Sequence, residues 1–376
     1  MEINHRQLEK AIHRSCKTKI PLFIWGTTGI GKSLTTKKVA KDISKEKTRA
    51  FVDWNRISDK EKQSLLVDGT KRESSYIYAD SRLVDRDPTD LRGLPNLNGK
   101  DYVEWKPTLL FKVLSCDKAS GMLFFDEMNL APPSVQGTAY QIVFDKCIGE
   151  LALNPDIEII GAGNRAEDRA NVFEMSVPLR ARFTHATLMP PTVKEWVDWG
   201  LENKIDDRIL AFLQFRPSHL MADMSKLRDA KSQAVNCPRT WEFSSTMING
   251  IEDIEELEIY TSECVGDGIA VEFKAFLKLR DKIDLQSILD HPEKAKGLEL
   301  DMKWSLISAV SEKYREDKKI LEKALGLCNF IEPDFGASLL RMIKRQDEKH
   351  FSNNVVKCKN WREIAEKFGK YIRTTV

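Results

Sequence analysis

Over the first half of the chain, short apolar runs alternate with amphipathic stretches of helical length, whereas the second half keeps only the helical period. Between residues 20 and 188, five runs read as buried strands: 21–26, 75–82, 121–126, 156–162 and 184–188. Near-continuous apolar runs separated by helices are what a parallel sheet covered on both faces requires. The charged segment 58–73 reads as helix decorating the sheet edge. At Met189-Pro190-Pro191 the pattern changes, and 193–204, 207–215, 239–248 and 251–264 follow with apolar residues at helical spacing. A boundary near 190 follows, and a Lys/Glu-rich helical stretch begins near 271. The expected organisation is an α/β unit over 1–190, a helical unit over 191–270 and a helical extension over 271–376.

Chemistry enters where the first strand gives way to its helix. Gly26-Thr27-Thr28-Gly29-Ile30-Gly31-Lys32-Ser33 fits G-x-x-x-x-G-K-[ST], a loop whose backbone N–H groups cradle phosphates at a helix N-terminus. The glycines allow close approach of backbone to phosphate, and the segment expected to face the nucleotide runs on to Leu34. Lys32 is expected on the β- and γ-phosphates and Ser33 on Mg2+. The loop alone does not separate an ATPase from a GTPase or a kinase.

Later strand ends add groups in a meaningful order. Met122-Leu123-Phe124-Phe125 ends in Asp126-Glu127, so that Asp126 is expected to share the Mg2+ shell with Ser33 and Glu127 to orient and deprotonate an attacking water. The next strand ends in Asn164-Arg165, and Asn164 is a candidate for sensing the terminal phosphate. Arg180 and Arg182 precede the last strand, and Arg239 opens a helix of the second half; each guanidinium suits phosphate oxygens.

Composition narrows the setting. With 376 residues, 31% charged and a net charge of +2, the chain has ample core and no general attraction to nucleic acid or anionic membrane. Residues 341–376 are locally basic, with ten Lys/Arg against four Asp/Glu. Seven scattered cysteines and six histidines show no disulfide or zinc spacing, and no apolar segment reads as a membrane span or signal peptide, so a cytoplasmic protein is expected. Asn203-Lys204-Ile205-Asp206 has the N-K-x-D form of a guanine reader. It follows a helical, half-polar stretch rather than a buried strand, which argues against that role.

Taken in order, these motifs resemble AAA+ ATPases, and the finer features resemble the MoxR-like branch. The matching runs are Asp87-Pro88-Thr89-Asp90-Leu91-Arg92-Gly93-Leu94-Pro95, the segment Phe125-Asp126-Glu127-Met128-Asn129-Leu130-Ala131-Pro132-Pro133-Ser134-Val135-Gln136, the Gly163-Asn164-Arg165 tip and Pro238-Arg239-Thr240-Trp241. The resemblance covers about residues 18–250. It implies an αβα P-loop core with a parallel sheet and an all-α lid, ATP and Mg2+ bound between neighbouring subunits, and self-association into a ring, usually a hexamer. On that resemblance Arg182 is the finger that reaches a neighbour's site, with Ala181 where the family has Asn and Arg180 in reserve. Arg239 is the lid arginine, and residues 91–95 form a loop facing the central pore or a packed turn. It also implies a chaperone-like remodeller of a protein client, often paired with a von Willebrand factor A-domain protein. A nucleic-acid motor and a nucleotide-dependent assembly switch are the alternatives.

Overall fold

The computed structural model describes residues 1–96, 103–165, 173, 175–223 and 234–373. The chain divides into two compact units, Met1–Pro190 and Pro191–Val376.

Seven strands make the sheet of the first unit: β1 (Glu2–Ile3), β2 (Leu22–Trp25), β3 (Ala50–Asp53), β4 (Ser75–Arg82), β5 (Gly121–Asp126), β6 (Ile157–Gly163) and β7 (Thr184–Leu188). All pairings are parallel, in the order β1-β7-β2-β6-β5-β4-β3. The five apolar runs form the five consecutive strands β7-β2-β6-β5-β4; β2, β6, β5 and β4 are buried along most of their length, while β7 is exposed at Thr184 and His185 and buried at Ala186 and Leu188. The two flanking strands were not expected, for a physical reason: β3 is only half-buried and β1 is two residues long, so neither leaves a continuous apolar run. Because β2 and β5 are separated only by β6, their C-terminal ends open on one edge of the sheet.

Helix boundaries follow local chemistry. Helix His5–Thr18 begins with a capping box between Asn4 and Gln7 and lays Leu8, Ile12 and Cys16 inward. Helix Lys32–Glu46 starts directly from the phosphate-loop pattern and buries Thr36, Val39, Ala40 and Ile43. The charged segment forms helices Asp59–Val67 and Gly69–Glu73, capped by Ser58 and Asp68.

The second unit is helical. A single hydrophobic core runs from Trp196 to Phe368, and helix Asp267–Lys278 crosses position 270 with Ala270, Phe273 and Phe276 buried. Phe212 gathers Trp241, Phe273 and Phe276 around it at ring separations of 5.9, 5.1 and 5.6 Å. One buried acid is tied into this core: Asp207 accepts hydrogen bonds from Ser311 at 2.7 Å, Gln346 at 2.7 Å and Arg345 at 2.5 Å. No helix among the described residues is long and apolar enough to cross a membrane.

Candidate functional site

The loop Gly26–Ser33 is held from three sides. Its start is tied to the strand tip opposite, where Gly26 N–H donates to Gly163 O at 3.2 Å. A Cβ on Gly26 would meet Ile30 Cδ1 at 2.8 Å and Leu188 O at 3.0 Å, so only glycine fits the curl. Gly29 and Gly31 take φ of 80° and 97°, the left-handed region open to glycine. From outside, His5 Nε2 donates to Ile30 O at 2.7 Å. The histidine was not singled out in the sequence, since nothing in an amphipathic N-terminal helix advertises a contact twenty-five residues away.

Lys32 is buried, and its ammonium bonds Gly26 O at 2.5 Å, Thr27 O at 2.9 Å and Asn164 Oδ1 at 3.1 Å. Ser33 Oγ donates to Asp126 Oδ2 at 2.6 Å, joining the loop to the end of β5. Thus Lys32, Ser33, Asp126 and Asn164, scattered over 133 positions (32 to 164), meet at one edge of the sheet. The hydroxyl and the carboxylate are hard oxygen donors side by side, a set that suits Mg2+. Among the described residues no cluster of His, Cys, Asp and Glu suits a different metal site.

Glu127 follows in a left-handed backbone conformation, φ 54° and ψ 32°, with its N–H bonded to Asp126 Oδ1 at 2.9 Å. A non-glycine residue in that region is strained by about 1–2 kcal/mol. Through this residue the chain leaves the strand for a short 3-10 turn, Met128–Leu130.

Asn164 is pinned by Asn129, a residue matched in the sequence but given no role there. Asn129 Nδ2 donates to Asn164 O at 2.7 Å, and Asn164 N–H donates to Asn129 Oδ1 at 3.1 Å. The amide lies so close to the strand that a Cβ on Gly163 would meet Asn129 Oδ1 at 2.3 Å. That glycine was the available signal for a close approach.

A further acid borders the site. In register, Asp80 stands opposite Phe124 and Arg82 opposite Asp126. Burial, then the charge of Asp126, pushes the Asp80 carboxyl up to about 6. Its Oδ1 is buried without a hydrogen-bond partner.

The arginines fall in different places. Arg182 follows the short helix Val177–Arg180 and lies across two rings, 4.7 Å from the centre of Tyr140 and 4.1 Å from that of Phe144. Arg180 is exposed. Arg239 is an exposed residue in the first turn of helix Pro238–Met247 in the helical unit, where the helix dipole disfavours a cation. The N-K-x-D segment is used for helix ends: Asn203 closes helix Val193–Glu202, and Asp206 caps helix Asp207–Phe215 while pairing with Arg208 at 2.7 Å. Leu91 is buried, Leu94 is exposed, and 94–96 pairs with 104–106 as a small antiparallel ribbon.

No protein-family model matches the chain, and no curated protein does. Solved structures similar to it include NtrX from Brucella abortus in complex with ADP, 13% identical over 97% of this chain and 68% of that one, TM-score 0.36. Hsp104 with ATPγS and FITC-casein is 15% identical over 69% of this chain and 44% of that one, TM-score 0.34. The Thermotoga maritima RuvB Holliday junction branch migration motor is 14% identical over 77% and 72%, TM-score 0.29. At these scores the likenesses carry no argument about activity or assembly, which rests on the site's own residues.

Proposed function

We propose that this edge of the sheet binds and hydrolyses MgATP, and that the chain is an AAA+ ATPase of the MoxR-like type. The observation that carries the reading is that consecutive loop residues reach two strand ends, Lys32 bonding Asn164 at 3.1 Å and Ser33 bonding Asp126 at 2.6 Å, with Glu127 on the turn after Asp126. Lys32 and the loop N–H groups hold the phosphates, and Ser33 with Asp126 holds Mg2+, which when bound offsets phosphate charge. Glu127 takes the proton of a water whose oxygen attacks the γ-phosphorus, while the bond to the ADP oxygen breaks. Asn164 orients that water or the γ-phosphate.

The finer reading is a ring, hexameric by resemblance, in which Arg182 serves a neighbour's site and Arg239 closes on the nucleotide from the helical lid. Such a ring acts as a remodeller of a protein client, paired with a von Willebrand factor A-domain protein. A protein client is favoured over nucleic acid because basic residues of the C-terminal region face acids of their own unit: Arg341 pairs with Asp198, Arg345 with Asp207 and Lys344 with Glu348. The test is capture on a Glu127→Gln variant loaded with MgATP. The reading expects a defined ring retaining a protein; recovery of nucleic acid alone, or a monomer at every nucleotide concentration, contradicts it.

A further inference from the structure

Arg182 is held unlike the arginines whose role is structural. Arg72 gives its guanidinium to three backbone carbonyls, those of Leu65, Leu66 and Asp117, at 2.9 Å each. Arg208 is saturated by the Asp206 carboxylate and the carbonyls of Ile248 and Ile251. Among the described residues Arg182 has one long bond, to Pro178 O at 3.4 Å, and no carboxylate pairs with it. Its Nε is buried with no hydrogen-bond partner among the described residues. A cation kept this way is oriented without being neutralised.

The orientation comes from two rings. Tyr140 and Phe144 stand four residues apart on helix Pro133–Asp145, hence on one face, with centroids 6.4 Å apart. The guanidinium carbon sits over both, 4.7 and 4.1 Å from their centres. Phe144 is 58% exposed, an unusual position for a phenylalanine, and it is accounted for if the ring serves Arg182 rather than the core. Ring faces attract a guanidinium yet leave its N–H edges free to donate to anionic oxygens. Arg180, two residues earlier, is exposed and has neither ring nor carboxylate among the described residues.

We infer that Tyr140 and Phe144 form an aromatic cradle that positions Arg182 for donation to a phosphate in a second copy of the chain. They are positioning residues, acting through the arginine. The inference rests on the proposed ATPase reading, with Arg182 as the finger acting in trans.

The experiment measures steady-state ATP hydrolysis, nucleotide affinity, assembly state and thermal midpoint for the full chain carrying Arg182→Ala, Phe144→Leu, or Tyr140→Leu with Phe144→Leu. The double variant is expected to lose kcat by about 10- to 100-fold, as misplaced catalytic groups do, at unchanged KM, affinity and assembly. Tyr140→Phe with Phe144→Tyr, which keeps both rings, is expected to retain kcat. Mixing the double variant with Glu127→Gln subunits is expected to restore turnover, because the latter bring an intact finger to the former's intact base. If Arg182→Ala abolishes turnover while the ring-deleted variant keeps its kcat, or loses affinity and assembly instead, the cradle is overturned and the finger stands. If Arg182→Ala leaves turnover intact, the finger reading itself is wrong. The single Phe144→Leu change, at an exposed ring, supplies the same comparison should the double variant unfold.

Discussion

The two ends of the parallel sheet are both rich in polar groups, and they differ in how far those groups satisfy one another. At the N-terminal end, Glu158 is 3% exposed and receives Lys19 at 3.2 Å, Lys47 at 3.0 Å and the Tyr76 hydroxyl at 3.0 Å. Asp156 beside it takes further bonds from the same lysines. Burial works against charge there, but hydrogen bonds from Lys19, Ser120 and Lys47 hold the Asp156 carboxyl at about 2. At the C-terminal end, among the described residues, Asp126 meets a hydroxyl and a backbone N–H, Asp80 carries an unpartnered oxygen, and Glu127 sits on strained backbone. A closed network stabilises the fold. An open one, with Asp80 and Asp126 drawn together and few hydrogen bonds to either among the described residues, suits a cation and the phosphates it accompanies.

That contrast can be broken by substitution. The largest effect is expected at the open end: Lys32→Ala removes the cation proposed to face the phosphates, and MgATP affinity measured by calorimetry should fall by about 10- to 100-fold, with turnover lost. At the closed end, Glu158→Gln should cost about 2–3 kcal/mol in urea denaturation, since two lysines lose one of the two carboxylates they share, the buried one, while kcat stays as it was. A drop in kcat there would mean that the two ends are coupled.

Asp80→Asn is expected to have the opposite sign to Glu158→Gln. The Asp80 carboxyl lies at about 6 against an ordinary 3.8, so between those values the folded chain binds more protons than the unfolded one. Its contribution to stability therefore declines as pH rises from about 4 to about 6 and stays low above. The asparagine variant should be more stable than the parent at pH 7.5, by on the order of 2 kcal/mol without nucleotide, and less dependent on pH across that window. Denaturation at pH 4 and pH 7.5 checks this; a variant less stable than the parent at both values sinks the idea of an uncompensated acid. The smallest effect is expected from Asn129→Ala, which leaves two backbone groups of Asn164 unpaired: about 1–2 kcal/mol of stability, with a modest loss of kcat at unchanged ATP affinity.

Much of this was legible in the sequence because strand ends in a parallel sheet coincide with changes in residue type. Apolar runs closing in Gly26, in Asp126-Glu127 and in Asn164 marked both the strands and the residues that meet at their tips. What escaped were contacts with no local signature. His5 against Ile30, Asn129 against Asn164, Asp80 beside Asp126, and Arg182 across Tyr140 and Phe144 each join segments far apart in the chain. Each side chain is ordinary in its own window, and only the topology brings its partner to it. The helical unit was the reverse case: its helices were readable from their period, but its single core, joining Trp196 to Phe368 across position 270, has no marker in the sequence.

If the open end of the sheet is a hydrolytic site, its base is Glu127. Release of phosphate from ATP, followed with Mg2+ for the parent chain and for Glu127→Gln at matched assembly, tests it most directly. The parent is expected to release phosphate steadily, and the variant to bind ATP as tightly but release phosphate about 10²–10⁴-fold more slowly. Phosphate release by Glu127→Gln at the parental rate, or failure of either protein to bind ATP, would contradict it.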